Sequence, residues 1–220
     1  VFSFQQFASN ALIALMLGTS ASHAFAQSCK EQDVTLQVLG SGGPELNDGR
    51  VSSSYLIWHK NKARLLIDAG PGSSVNFGAS GADFADLQGI LLTHLHVDHS
   101  ADLPAYVKGS YFTSRNEDLT IFGPSGNAMM PDTSEYLASL MGGDGAFAYL
   151  SDYTQATSQA DYHINAQNIP LTPIKQHSQN ISDDITITAS PVHHGPIAAI
   201  AWRVDIGDCS MTFSGDMSNK

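Results

Sequence analysis

The chain is built from short apolar runs separated by glycine-, proline- and serine-rich punctuation. Val34-Thr35-Leu36-Gln37-Val38-Leu39 alternates apolar with polar positions, the period of a strand with one buried face. It stops at the turn cluster Gly40-Ser41-Gly42-Gly43-Pro44. Residues 54–58 and 63–67 read as two further strands, and Lys60-Asn61-Lys62 between them predicts a hairpin. Gly89-Ile90-Leu91-Leu92-Thr93 is a short apolar run, the pattern of a buried strand. Residues 101–112 set Leu103, Tyr106, Val107 and Tyr111 near helical spacing. A second helix is predicted over 131–140, with Pro131 near its first turn and Gly142-Gly143 ending it. Further strands are expected at 119–122, 171–177, 185–189, 198–206 and 211–213. Residues 143–168 are polar, with Phe147, Tyr149, Tyr153 and Tyr162 spaced through them. They predict a long irregular excursion, either an ordinary surface loop or a lid beside a site. Strands at both ends with helices between them make an α/β layered domain.

Composition narrows this picture. A chain of 220 residues supplies one domain with a sizeable core, or a large part of one. Hydrophobic residues at 42% against charged residues at 14% fit a globular body. The formal net charge is −11, and the ten Lys and Arg are scattered. Without a basic patch, nucleic acid is not the expected partner; a small-molecule ester substrate is, and a homodimer is compatible with the sequence. Residues 11–17, ALIALML, followed by Ala24-Phe25-Ala26, predict a signal peptide over 1–26, cleaved before Gln27, and a mature domain over 27–220. The apolar run is too short to span a bilayer, so no membrane span is expected after cleavage and the destination is secreted or periplasmic. The positive n-region is missing, because no Lys or Arg precedes Lys30, and the first residue is Val. Cys29 and Cys209 are either a disulfide closing a long loop or two unpaired thiols; their spacing does not decide between them.

The chemistry is concentrated in Thr93-His94-Leu95-His96-Val97-Asp98-His99. Neutral imidazoles and a carboxylate at this density suit zinc and similar divalent metals. Residues two apart on an extended segment project the same way, so His94 and His96 converge on one ion. A turn into a helix then carries Asp98 and His99 to the other side, toward a second ion. His59, His163 and His177 have no motif around them and are expected to be exposed or hydrogen-bonded.

This motif resembles that of the metallo-β-lactamase superfamily, and the resemblance extends along residues 33–220. Leu66-Ile67-Asp68-Ala69-Gly70 looks like the family's segment upstream of the histidines. Pro191-Val192-His193-His194-Gly195 resembles the strand-end histidine segment, and Phe213-Ser214-Gly215-Asp216 resembles the turn with a bridging aspartate. The resemblance implies a four-layer αβ/βα sandwich with two divalent metal ions, zinc first, with manganese or iron(II) as alternatives. It assigns His94, His96 and His194 to the first metal, Asp98 and His99 to the second, and Asp216 to both. His194 is preferred over His193, and Asp68 is expected to orient a ligand histidine. The implied chemistry is attack by a water acidified between two cations, with Asp98 or Asp216 relaying the proton. Four residues follow Asp216 and no histidine follows His194, so the seventh ligand and the last part of the second half are expected to lie outside this sequence. Among the family's branches, the pattern is most similar to that of ribonuclease Z, phosphodiesterases and arylsulfatases, and Gly123-Pro124-Ser125-Gly126 agrees. The expected activity is therefore hydrolysis of a small ester, phosphodiester or sulfate ester first. A lactonase or a ribonuclease Z-like enzyme is the alternative, and a non-catalytic metal-binding member or inactive fragment is the reading of a different class.

Overall fold

A computed structural model describes Cys29 and residues 31–218. The predicted signal peptide lies outside the described residues. Among those described, no helix is long and apolar enough to cross a membrane.

Six strands form the first sheet, in the order of the chain: β1 (Val34–Gly40), β2 (Ser54–His59), β3 (Lys62–Ile67), β4 (Gly89–Leu91), β5 (Leu119–Pro124) and β6 (Ile164–Ile169). The first three are antiparallel, and β3 through β6 run parallel. The β2–β3 hairpin closes as its sequence predicts. Lys60 and Asn61 both take left-handed backbone angles, φ 52° and 58°, as a two-residue turn of this hand requires. A second, antiparallel sheet holds β7 (His177–Asn180), β8 (Ile185–Pro191), β9 (Ile200–Ile206) and β10 (Cys209–Phe213), in the order β10-β9-β8-β7.

The central strands β3 and β4 of the first sheet are buried on both faces, which explains their continuous apolar runs. Leu56, Leu66, Ile90 and Leu92 point to one side, where helices α1 (Ser73–Ala79), α3 (Leu103–Ser110) and α4 (Thr133–Met141) contribute Phe77, Tyr106, Val107, Leu137 and Met141. Ile57, Leu65, Ile67 and Leu91 point to the other side, against Ile187, Trp202, Val204 and Phe213 of the second sheet. The result is the α/β sandwich that the resemblance implied. Cys29 and Cys209 are joined in a disulfide that closes a separation of 180 residues.

The helix predicted over 101–112 is α3, and the turn into a helix expected at Asp98 and His99 is α2 (Val97–Ser100). Three elements differ from expectation. α1 was not anticipated: Ser-Ser-Val-Asn-Phe-Gly-Ala carries one apolar anchor, Phe77, too few for a periodic signal. Residues 143–168 are not wholly irregular, because Ala148–Tyr153 forms a 3-10 helix and β6 begins at Ile164. Apart from Ala166, polar residues fill β6 between Ile164 and Ile169, and six parallel pairs with β5 hold it at the sheet edge. The strand expected at 171–177 begins only at His177, since Pro170 and Pro173 have no N–H to donate to a ladder.

Candidate metal centre

The parallel strands deliver the site. β4 ends at Leu91, and the chain crosses Leu92 and Thr93 into His94, which pairs with Ala199, just ahead of β9, as an isolated bridge. The Trp202 indole N–H donates to the Leu92 carbonyl at 2.9 Å, fixing this crossing between the two sheets. α2 then carries Asp98 and His99 inward, and both are buried. The segment after β3 supports this turn: Ala69 N–H donates to the His99 carbonyl (2.7 Å), and Asp102 N–H to the Ala69 carbonyl (2.9 Å). Gly70 is required by this approach, because a Cβ there would stand 2.1 Å from the Asp98 carbonyl oxygen.

His94, His96 and His194 bring ring nitrogens within 4.8 Å of one another, and so do the donor atoms of His94, His99 and Asp216. Asp98 reaches the second group, with Oδ2 3.5 Å from His99 Nε2; Asp216 Oδ1 is 3.4 Å from the same nitrogen. All six residues expected as ligands therefore meet in one place. His193 is exposed and engages Ser218 instead, so the structure turns His194 rather than His193 toward the cluster. His59 lies 3.7 Å from Asp184, and His163 lies near Asp118 and Ser158, away from the cluster. His177 has a buried Nε2 without a hydrogen-bond partner at the start of β7.

Asp68 organises the ligands from behind. Its buried carboxylate accepts from Thr93 N–H (2.7 Å), from the Thr93 hydroxyl (2.9 Å to Oδ2) and from His99 Nδ1 (2.7 Å). With its proton given to Asp68, Thr93 Oγ1 accepts from His94 Nδ1–H at 3.1 Å. In their neutral form both imidazoles then keep Nε2 as the lone pair facing the cluster. Burial pushes the Asp68 carboxyl up, against the hydrogen bonds from His99 and Thr93. Burial also opposes the His99 cation, yet Asp68, Asp216 and Asp98 outweigh it and raise its pKa. His94 is pushed down to about 2 by burial and by His99, His96 and His194 around it.

This donor set fits divalent cations. His194 Nε2 is buried and has no hydrogen-bond partner, although its ring lies 4.9 Å from that of His94 and 5.1 Å from that of His96. His94 Nε2 and His96 Nδ1 approach to 3.1 Å. Converging imidazole lone pairs beside carboxylates are satisfied by a cation. Behind Asp216 and His99 lies a cavity of about 260 Å³, lined in part by Tyr55 and Phe213.

The sequence pattern of the Metallo-beta-lactamase superfamily matches residues 47–220. A ribonuclease Z of Mycobacterium sp. (strain KMS) is 28% identical over 189 residues, covering 83% of this chain and 61% of its own length. The chain thus spans about three fifths of the curated relatives it matches. Human tRNase Z, short form, has a similar fold, with TM-score 0.63 and 16% identity over 82% of this chain and 68% of that one. A metallo-beta-lactamase fold protein of Bacillus subtilis, YhfI, gives TM-score 0.58 and 19% identity, covering 85% and 64%.

Proposed function

Because the chain belongs to the metallo-beta-lactamase superfamily, we propose that it is a metal-dependent hydrolase of phosphodiester bonds, working in an exported protein. The observation that carries this reading is the convergence of His94, His96 and His194 beside His99, Asp98 and Asp216, with His194 Nε2 buried and unpaired. The first three would hold one divalent cation, Asp98 and His99 a second, and Asp216 would reach both. Zinc, manganese or iron(II) suits these donors. When bound, such a pair supplies Lewis acidity, which makes water nucleophilic near neutral pH and polarises the scissile oxygen. The chain's own residues do the rest. Asp68 and Thr93 fix the tautomers of His94 and His99. Asp98 and Asp216, each facing His99 Nε2, are placed to take the proton released by the attacking water.

The name of the curated relatives supports a phosphodiester over a sulfate ester or lactone, since that is the bond a ribonuclease cleaves. The same name favours a second reading, cleavage of RNA itself. The net charge of −11 favours small diesters, because polyanion binding relies on clustered cations. Export is supported by the leader pattern in residues 1–26 and by the Cys29–Cys209 disulfide, a bond characteristic of oxidising compartments. Turnover by zinc- or manganese-loaded protein separates the readings. Bis-p-nitrophenyl phosphate is expected to be hydrolysed faster than p-nitrophenyl sulfate or a lactone, and His96→Ala to abolish that activity. Preferential cleavage of a tRNA precursor would establish the second reading. Bound metal with no turnover of any substrate would make the protein a non-catalytic member.

A further inference from the structure

The exposed aromatic side chains among the described residues all fall in one stretch of surface. Tyr111 is 67% exposed, Phe112 79%, Tyr149 69% and Phe147 38%. They form two edge-to-face pairs, Tyr111 with Phe112 at 5.3 Å and Phe147 with Tyr149 at 6.5 Å between ring centroids. The pairs flank a cavity of about 620 Å³, within the ~300–1,000 Å³ range of small-molecule sites. Its walls include Tyr111, Tyr149 and Tyr153, and its polar groups include Asp152, Asp161 and Gln159. Tyr162 and Arg115 lie just ahead of β6 and β5, so the cavity sits at the N-terminal end of the parallel strands. The metal cluster follows the C-terminal end of β4, about 20 Å away along six-residue strands.

Single exposed apolar residues are ordinary, but a cluster of them around a cavity is not. The chemistry of the walls selects the occupant. Arg115 is buried, and its Nη1 and Nη2 are spent on the carbonyls of Phe84 (3.0 Å), Leu87 (2.8 Å) and Asp118 (3.0 Å). Lys108 stands over the Tyr111 ring at 4.6 Å, facing a cavity that also holds two exposed carboxylates. The site therefore has no net cationic character with which to hold a phosphate chain. Flat rings that cover C–H faces, with carboxylates and an amide between them to receive hydroxyls, match a neutral polyhydroxylated ring. We propose that this cavity is a saccharide-binding site, remote from the metal cluster and able to hold the protein on a glycan while the cluster acts elsewhere.

Binding is measured on the full, metal-loaded chain by calorimetry and by saturation-transfer NMR, with cellohexaose and chitohexaose as probes. At least one is expected to bind, with transfer from tyrosine ring protons. Tyr111→Ala/Tyr149→Ala is expected to weaken it at least tenfold, with the melting temperature and the turnover of bis-p-nitrophenyl phosphate unchanged. If that variant fails to fold, Asp152→Ala/Asp161→Ala must give the same loss. No binding of either saccharide, or binding untouched by both variants, overturns the proposal. Binding of hexauridylate in place of the saccharides would assign the surface to single-stranded nucleic acid, and concentration-dependent self-association abolished by the tyrosine variant, again without saccharide binding, would assign it to a second copy of the chain. Neither failure bears on the hydrolase reading, because binding is read without turnover.

Discussion

Asp68 occupies a left-handed backbone position, φ 56°, one residue past the end of β3. That conformation is uncommon for a residue with a side chain and is held here by the Ser54 hydroxyl on its carbonyl and by three hydrogen bonds to its carboxylate. Asp68→Asn puts an amide where an acceptor-only group is needed, so His94 and His99 lose their fixed tautomers. Zinc affinity is expected to fall about 10- to 100-fold by chelator competition, and unchanged affinity would remove Asp68 from this role. The two histidines behind it titrate in opposite senses in the metal-free protein. The folded pKa of His94 lies far below 6.5, so the unfolded chain takes up a proton that the native chain refuses, and stability is lost as pH falls below 6.5. The folded pKa of His99 lies above 6.5, so its contribution is complete below 6.5 and is lost as pH rises through the folded value. NMR of the metal-free protein should show His94 neutral across about pH 5–8 and His99 still protonated above its ordinary midpoint. A His94 midpoint near 6.5 would contradict the packed cluster. At this scale the sequence was most informative. The dense spacing of His94, His96, Asp98 and His99 points to side chains that the fold brings together, without reference to that fold. The Thr93 relay between Asp68 and His94 carries no signal of its own in the sequence.

Elements buried on both faces were legible because the physics that buries them also writes their pattern. The β2–β3 hairpin and β4 follow this rule. α4 buries one face only, and its start is set by Asp132 and Glu135, which form reciprocal caps at 2.8 and 3.1 Å. β6 and α1 were not legible. β6 is stabilised by its ladder with β5, and α1 by Phe77 against Tyr106 at 5.4 Å, so partners distant in sequence decide both. Arg115 is another example, a surface residue by type that is 5% exposed and bonded to four carbonyls ahead of β4 and β5. Arg115→Met leaves those carbonyls without donors. Urea unfolding should show a loss of about 3 kcal/mol, and a loss under about 0.5 kcal/mol would mean that water replaces the guanidinium without cost.

Across the whole molecule, the disulfide joins the start of the described chain to the second sheet, in which Cys209 is fully buried. A bridge across 180 residues removes much of the freedom of the unfolded chain, by about 5 kcal/mol in the chain-entropy view. Replacing both cysteines by alanine should lower unfolding free energy by about 2–5 kcal/mol. No change on replacement or on reduction would mean that the two sheets hold each other without it. The sequence left this pairing open because Cα separation, here 4.4 Å, is a property of the folded chain alone. The fold places a metal-ligand cluster at one end of its parallel strands and an aromatic cavity at the other. The first depends on six side chains contributed by three separate segments. Zinc titration of the metal-free protein tests that dependence most directly. Two equivalents should bind to the native chain, and His96→Ala/Asp216→Asn should lose both while keeping the fold. Binding of no zinc by the native chain, or an unchanged two equivalents in the variant, would contradict the assignment.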